Sequence, residues 1–180
     1  MFEAIRMKSA KNRKTELKLA AVFIAGVLMG VLFAAPQAQD ATLPVPAKRA
    51  EIPLDGYEKV SVSMQFNDLI FSSQCYKLSM TVADTQTLSI SYGIANTTYE
   101  RPLTHDIMES MLENYGIETL LVKIESYSDG IYYAKIFLQQ GNKVLELDSR
   151  PSDAAGLAVR VNAPVYFRKE LLEQFGLRTC

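Results

Sequence analysis

One histidine, two cysteines and no surplus of basic charge over most of the chain set the first limits on this 180-residue protein. Two cysteines are too few for a disulfide framework; Cys75 and Cys180 can form one bridge or stay free. There is no Gly-rich phosphate loop, no Cys-x-x-Cys pair and no nucleophile elbow. Their absence argues against a P-loop nucleotide enzyme, a thiol redox or zinc-ribbon protein and an α/β-hydrolase. No repeat of solenoid length is visible either. Past residue 18 there remain thirteen basic and eighteen acidic side chains, a net charge of −5. Non-specific nucleic-acid binders draw their affinity from neutralising phosphates with a basic footprint, so here any such contact has to come from a local site.

What basic charge there is gathers at the start. Arg6, Lys8, Lys11, Arg13, Lys14 and Lys18 face only Glu3 and Glu16, a net +4 over residues 1–18. Leu19 to Ala35 then gives 17 uncharged residues, extending to 21 at Gln39. Spanning a bilayer core takes roughly 20 apolar helical residues, so residues 19–39 are expected to form a transmembrane anchor. No basic residue follows until Lys48, and the positive-inside bias places the N-terminus in the cytoplasm and the C-terminal domain outside. A cleaved secretion signal is the main rival, though its apolar region should be shorter and end in a small-x-small site. A buried core helix is the third reading. Gly26 and Gly30, four apart, leave homo-oligomerisation open.

The divisions that follow are a basic cytoplasmic tail (1–18), the anchor (19–39), a Pro-rich linker (40–56) and a folded domain (57–180). In the domain, period-two alternation predicts strands over 59–66, 77–82 and 87–92, the first ended by Asn67-Asp68. A helix follows with Thr104 as N-cap and Gly116 as its stop, its apolar face made by Ile107, Met108, Met111, Leu112 and Tyr115. Asp106, Glu109 and Glu113 fall on the opposite face, most simply a solvated one. Strands over 118–127 and 131–139 meet at Asp129-Gly130, a strong hairpin signal, and a third runs over 143–148. Residues 151–161 form a helix whose sole later charge is Arg160, so it should be buried against the sheet. A short strand (165–167) and a last helix (169–175) complete the pattern. The expected class is α+β: a mostly antiparallel sheet packed with two to three helices, preceded by the transmembrane helix.

Candidate chemistry collects at two helix starts. One is Arg101-Pro102-Leu103-Thr104-His105-Asp106, with the only histidine; the other is Asp148-Ser149-Arg150-Pro151-Ser152-Asp153. Phosphodiester hydrolysis needs an activated water and stabilised charge on the phosphoryl group, commonly through Mg²⁺ or Mn²⁺ on carboxylates. Asp148, Asp153 and Asp129 are the candidate ligands of that metal. A bare carboxylate about 6 Å from a phosphate would be repelled by roughly 3 kcal/mol at an effective dielectric of 20, so an acidic site implies a cation within it. His105 can serve as base or ligand and, with Asp106 and Arg150, makes up the candidate catalytic group. Arg101 and Arg150 can fork a phosphate, and Thr104 and Ser152 stand where helix N-termini offer free N–H groups. A structural reading stays open beside this one. Thr104 and Ser152 are also ordinary caps, Pro102 and Pro151 ordinary first-turn residues, and Asp106 and Asp153 complements of a helix dipole. Asp129 before Gly130 is a common turn former, and the arginines can pair with the aspartates as a structural network.

The strings Arg101–Asp106, Asp129-Gly-Ile-Tyr-Tyr-Ala134 and Asp148–Arg160, in that order and spacing, resemble the bifunctional nuclease (BFN) domain family over about Thr87 to Leu172. The resemblance implies a nuclease acting on RNA and single-stranded DNA. Family members usually carry a helix with a Glu-Ala pair before the Arg-Pro motif, and the eight residues Gly93–Glu100 are too few to hold it after a strand. The leading expectation is therefore a membrane-anchored nuclease. The runner-up is a non-catalytic module whose Arg/Asp clusters are structural or bind a small anion.

Overall fold

A computed structural model describes residues 48–180; the predicted anchor at 19–39 lies outside the described residues. Among the described residues no helix is long and apolar enough to cross a membrane. The domain is α+β, with one eight-stranded sheet in the order β6-β5-β4-β7-β1-β2-β3-β8 and four helices. In chain order these are β1 (Tyr57–Gln65), β2 (Asp68–Ser72), β3 (Tyr76–Thr81), α1 (Asp84–Ile94), α2 (Thr104–Asn114), β4 (Glu118–Ser128), β5 (Ile131–Gln140), β6 (Lys143–Ser149), α3 (Pro151–Arg160), β7 (Val165–Arg168), α4 (Lys169–Phe175) and β8 (Leu177–Arg178). Every pairing is antiparallel except β4 with β7, which the α3 crossover makes parallel.

Alternating positions of the central strands face the helices. Val60, Leu69, Phe71, Leu78, Val122, Ile124, Ala134 and Ile136 meet Ala154, Ala155, Leu157 and Ala158 of α3 and Ile90 of α1 in one buried core. As expected of a helix with one late charge, α3 is buried along most of its length. Small residues let it lie close to its neighbours: a Cβ on Gly93 of α1 would come within 2.7 Å of Val159 Cγ2. The other sheet face holds a smaller cluster, where Leu120, Leu121 and Phe137 pack with Ala50, Ile52 and Leu54. Packing therefore begins ahead of Tyr57, within residues read as linker. Lys123, also buried, donates to the Pro53 carbonyl at 2.5 Å and lies 4.4 Å from the Tyr57 ring centre, which ties this segment down.

Three elements depart from the sequence reading. Thr87–Tyr92 is the body of helix α1 and not a strand. Its buried residues, Ser89, Ile90 and Gly93, follow helical spacing and face α3; of the alternating Ser/Thr residues Ser89 is buried and Thr87 and Ser91 half-buried, while the apolar Leu88 is exposed, the reverse of a half-buried strand. A helix consequently does precede the Arg-Pro motif, although its sequence has no Glu-Ala pair. Asp68 does not close a strand but opens β2: Gln65 and Asp68 are paired, Phe66-Asn67 forms the turn, and Leu69 and Phe71 are buried. Finally, Met108 and Leu112 of α2 join the core, whereas Ile107, Met111 and Tyr115 are exposed. The Asp129-Gly130 hairpin is present, with positive φ at both residues and Ser128 paired to Ile131. Cys75 and Cys180 form a disulfide.

Candidate functional site

Three helix segments meet where the two motifs come together: the middle of α1, the start of α2 and the start of α3. His105 is the peg between them. Its ring is 3 % exposed and lies flat against Gly156, where a Cβ would stand 2.4 Å from Cε1, so only glycine leaves room for it. Nδ1 is 2.7 Å from the Ser89 hydroxyl of α1. The backbone at Asp153 favours the charged form of the imidazole. Burial pushes the His105 pKa below 6.5, and Arg160 pushes the same way; Asp153 and Asp106 oppose them.

A pH dependence follows. A histidine whose folded pKa is depressed binds its proton more readily when unfolded, so its stabilising contribution is full above pH about 6.5 and declines as pH falls through the folded value. Because the chain has a single histidine, one imidazole resonance should titrate below pH about 6.5 by NMR, and folding stability should fall on acidification through that window. A midpoint above about 7 would show that the ring is not desolvated as described.

Asp106 is 5 % exposed, so its predicted place on a solvated face is corrected. Oδ2 accepts the Leu103 N–H at 2.7 Å, and Oδ1 stands 2.8 Å from Nη1 of Arg160, a residue absent from the candidate set. That contact is an ion pair without hydrogen-bond alignment, since Oδ1 has no aligned donor. Arg160 also donates to the carbonyls of Thr97 (2.8 Å) and Ser89 (3.2 Å). The signal for it was a lone charge on an otherwise apolar helix, which needs a buried partner.

Arg150 and Asp153 form a two-pronged pair at 2.7 and 3.1 Å. Arg150 is the cap residue of α3, Pro151 its first-turn proline, and Leu103 rather than Thr104 caps α2. Two clefts flank Arg150. The first, about 440 Å³, is lined by Thr85, Gln86, Ser89, Thr104, His105, Arg150 and Asp153. The second, about 470 Å³, lies toward β3 and β5 and has Ser152 among its lining residues; Arg150 and Gln86 belong to both. Thr104, His105, Arg150 and Asp153 are thus brought together, with Ser152 in the adjoining cleft. Asp106 backs the site without lining either cleft. Arg101 is exposed and makes no ion pair with a described residue. Asp148 sits exposed on β6 opposite Lys135, and Asp129 in the β4–β5 turn accepts from Ser128 Oγ at 3.1 Å. Among the described residues no three His, Cys, Asp or Glu side chains converge as a metal-binding group. Of the predicted set Asp129, Asp148 and Asp153, Asp153 alone lines either of these clefts.

The bifunctional nuclease domain model matches residues 69–179, more than half of the chain and all of this site. The chain belongs to the bifunctional nuclease domain family. An uncharacterised Mycobacterium tuberculosis protein is 35 % identical over 77 residues, which is 43 % of this chain and 45 % of that protein. Bifunctional nuclease 1 of Arabidopsis thaliana is 29 % identical over 104 residues, 56 % of this chain and 32 % of its own length. Bifunctional nuclease 2 of Oryza sativa subsp. japonica is 28 % identical over 105 residues, 57 % and 32 % respectively. The chain thus spans under half the length of the curated relatives it matches. Within the family domain, the residues that converge are those of the Thr104–His105 and Arg150–Asp153 segments, while Arg101 stands apart.

Proposed function

We propose that the domain binds single-stranded nucleic acid, RNA or DNA, at the cleft beside Arg150 and hydrolyses its phosphodiester bonds. The observation that carries the reading is the solvent-exposed Arg150–Asp153 pair at the junction of two clefts, with His105 locked behind it. Arg150 keeps 66 % of its side-chain surface in solvent, so its guanidinium can exchange the Asp153 carboxylate for a phosphate with the same forked geometry. Asp153, freed by that exchange, is the carboxylate lining the cleft and the candidate proton acceptor for an attacking water. His105 positions α3 through its packing on Gly156, and Asp106 anchors the α2 start. No step is assigned to a metal, because the carboxylates do not converge. The names of the plant relatives support the activity. The second reading, a non-catalytic anion-binding module, is favoured by one observation: the Arg160–Asp106 and Arg150–Asp153 pairs are both closed.

The purified chain, incubated with end-labelled RNA and single-stranded DNA in Mg²⁺, Mn²⁺ or EDTA, separates the two. Cleavage should fall about ten- to a hundred-fold in Arg150→Ala, the loss expected for charge-assisted hydrogen bonds to phosphate. Stability should change by less than about 1 kcal/mol, as for an exposed ion pair. Binding without cleavage in all three conditions selects the second reading. We further propose that the domain lies outside the cytoplasm behind a membrane anchor at 19–39; the Cys75–Cys180 disulfide supports that placement.

A further inference from the structure

We propose that the cleft on the β3–β5 side of Arg150 is a base-binding subsite, which takes one unstacked nucleobase of a strand whose phosphate rests on Arg150. The inference rests on the nucleic-acid reading above and goes beyond it in assigning the second cleft. Its walls are Met80 and Val82 on one side and Ile131 and Tyr132 on the other, and Arg150 is the only charged residue that lines it. A slot with these apolar walls, the uncharged polar residues Ser79, Thr81, Gln86 and Ser152 and a single cation suits a flat, largely uncharged ring with polar edges tethered to an anion, which is the chemistry of a nucleotide. The volume of about 470 Å³ admits such a ring, and the shared Arg150 and Gln86 make the cleft continuous with the one that holds Thr104 and Asp153. A strand can therefore cross Arg150 with its phosphate there and place a base in the second cleft.

Tyr132 supplies a rigid platform. Its ring lies 4.6 Å from that of Tyr127 and 6.1 Å from that of Phe175, both centroid to centroid, and it packs edge-on to Phe167 at 6.3 Å. These contacts fix the ring before a ligand arrives, so little side-chain entropy is lost on stacking. Ile131 beside it is 55 % exposed, apolar surface that a base would cover. A base seated in a concave slot has to leave its neighbours, and a duplex would first have to break pairing and stacking. The subsite therefore provides a physical cause for preference for single strands over duplex.

The test uses short fluorescent single-stranded DNAs in EDTA, each with one abasic residue at a different position, and reads affinity by anisotropy. For the unaltered protein, one abasic position should weaken binding by about ten-fold or more, the usual weight of one base–aromatic stack, while the others change it little. In Ile131→Asn, exposed enough to fold normally, that position-specific penalty should shrink; in Tyr132→Ala it should vanish if the variant still melts cooperatively. A uniform response at every position, or a penalty unchanged in Ile131→Asn, overturns the subsite and leaves the nuclease reading intact. No binding of any strand, even at low salt, overturns both.

Discussion

Replacing Asp106 with alanine should destabilise the domain by about 3–5 kcal/mol, the range for removing one partner of a buried ion pair. The carboxylate and the Arg160 guanidinium are 7 % and 4 % exposed, so the abandoned cation would remain in low dielectric with few alternatives. Its other contacts, the Thr97 and Ser89 carbonyls, satisfy hydrogen bonds but do not balance its charge. The same substitution frees the Leu103 N–H at the α2 N-terminus, a cap loss that adds about 1 kcal/mol. Asp106→Asn separates the two contributions, because its amide oxygen can still accept from Leu103 while the charge is gone. Denaturant unfolding should rank the variants wild type, Asn, then Ala. The double variant Asp106→Ala with Arg160→Met should be more stable than Asp106→Ala alone, since it removes the unpaired charge and keeps the volume. A loss under about 1 kcal/mol in Asp106→Ala would mean that water reaches the pair and that it does not bind α2 to α3.

That pair also shows where the sequence could and could not be read. Period-two runs found β1 and β3, because those strands alternate inward and outward residues along their length. Asp-Gly and the glycine after α2 marked their turns, since few other residues take positive φ there. α1 was misread because Thr87-Leu-Ser-Ile-Ser-Tyr92 is short and alternates by accident of composition. Its helical identity comes from Gly93 fitting against Val159, a contact with residues 66 positions away that no local pattern records. The site divided in the same way. Both motif segments were visible as charged, proline-marked helix starts. What each charge does was not, because pairing depends on which side chains the packing brings near. Asp106 looked solvated by its helical phase and is buried; Arg160 looked incidental and is its counter-ion. His105 stood out as the residue that capping could not explain, and the structure supplies a packing reason for it: the gap over Gly156 of α3 and the hydrogen bond to Ser89 of α1.

Reduction of the Cys75–Cys180 bridge should cost the domain about 2–4 kcal/mol, with a chain-entropy ceiling of about 4.7 kcal/mol for a loop of this size. The bridge spans 105 residues and encloses everything from the start of β3 to the chain end, so it limits the unfolded chain over most of the domain. A purely local alternative makes a different prediction. β8 is two residues long, is paired to β3 through Tyr76–Arg178 and Lys77–Leu177, and is followed by the Thr179 N–H bond to the Cys75 carbonyl. If the bridge only pinned this end, reduction would let β8 fray, amide exchange at residues 177–179 would rise, and global stability would hardly move. Denaturant unfolding of the wild type with and without reductant, and of the double variant Cys75→Ser and Cys180→Ser, measures the global cost; hydrogen exchange measures the local one. The entropy argument requires the global loss. The bridge also bears on placement, since structural disulfides form and persist mainly where the surroundings are oxidising. Thiol trapping in intact cells should therefore find both cysteines blocked. Two free thiols would place the domain in a reducing compartment, remove the support for the outward orientation, and leave the domain to hold its C-terminal strand by β3 pairing alone.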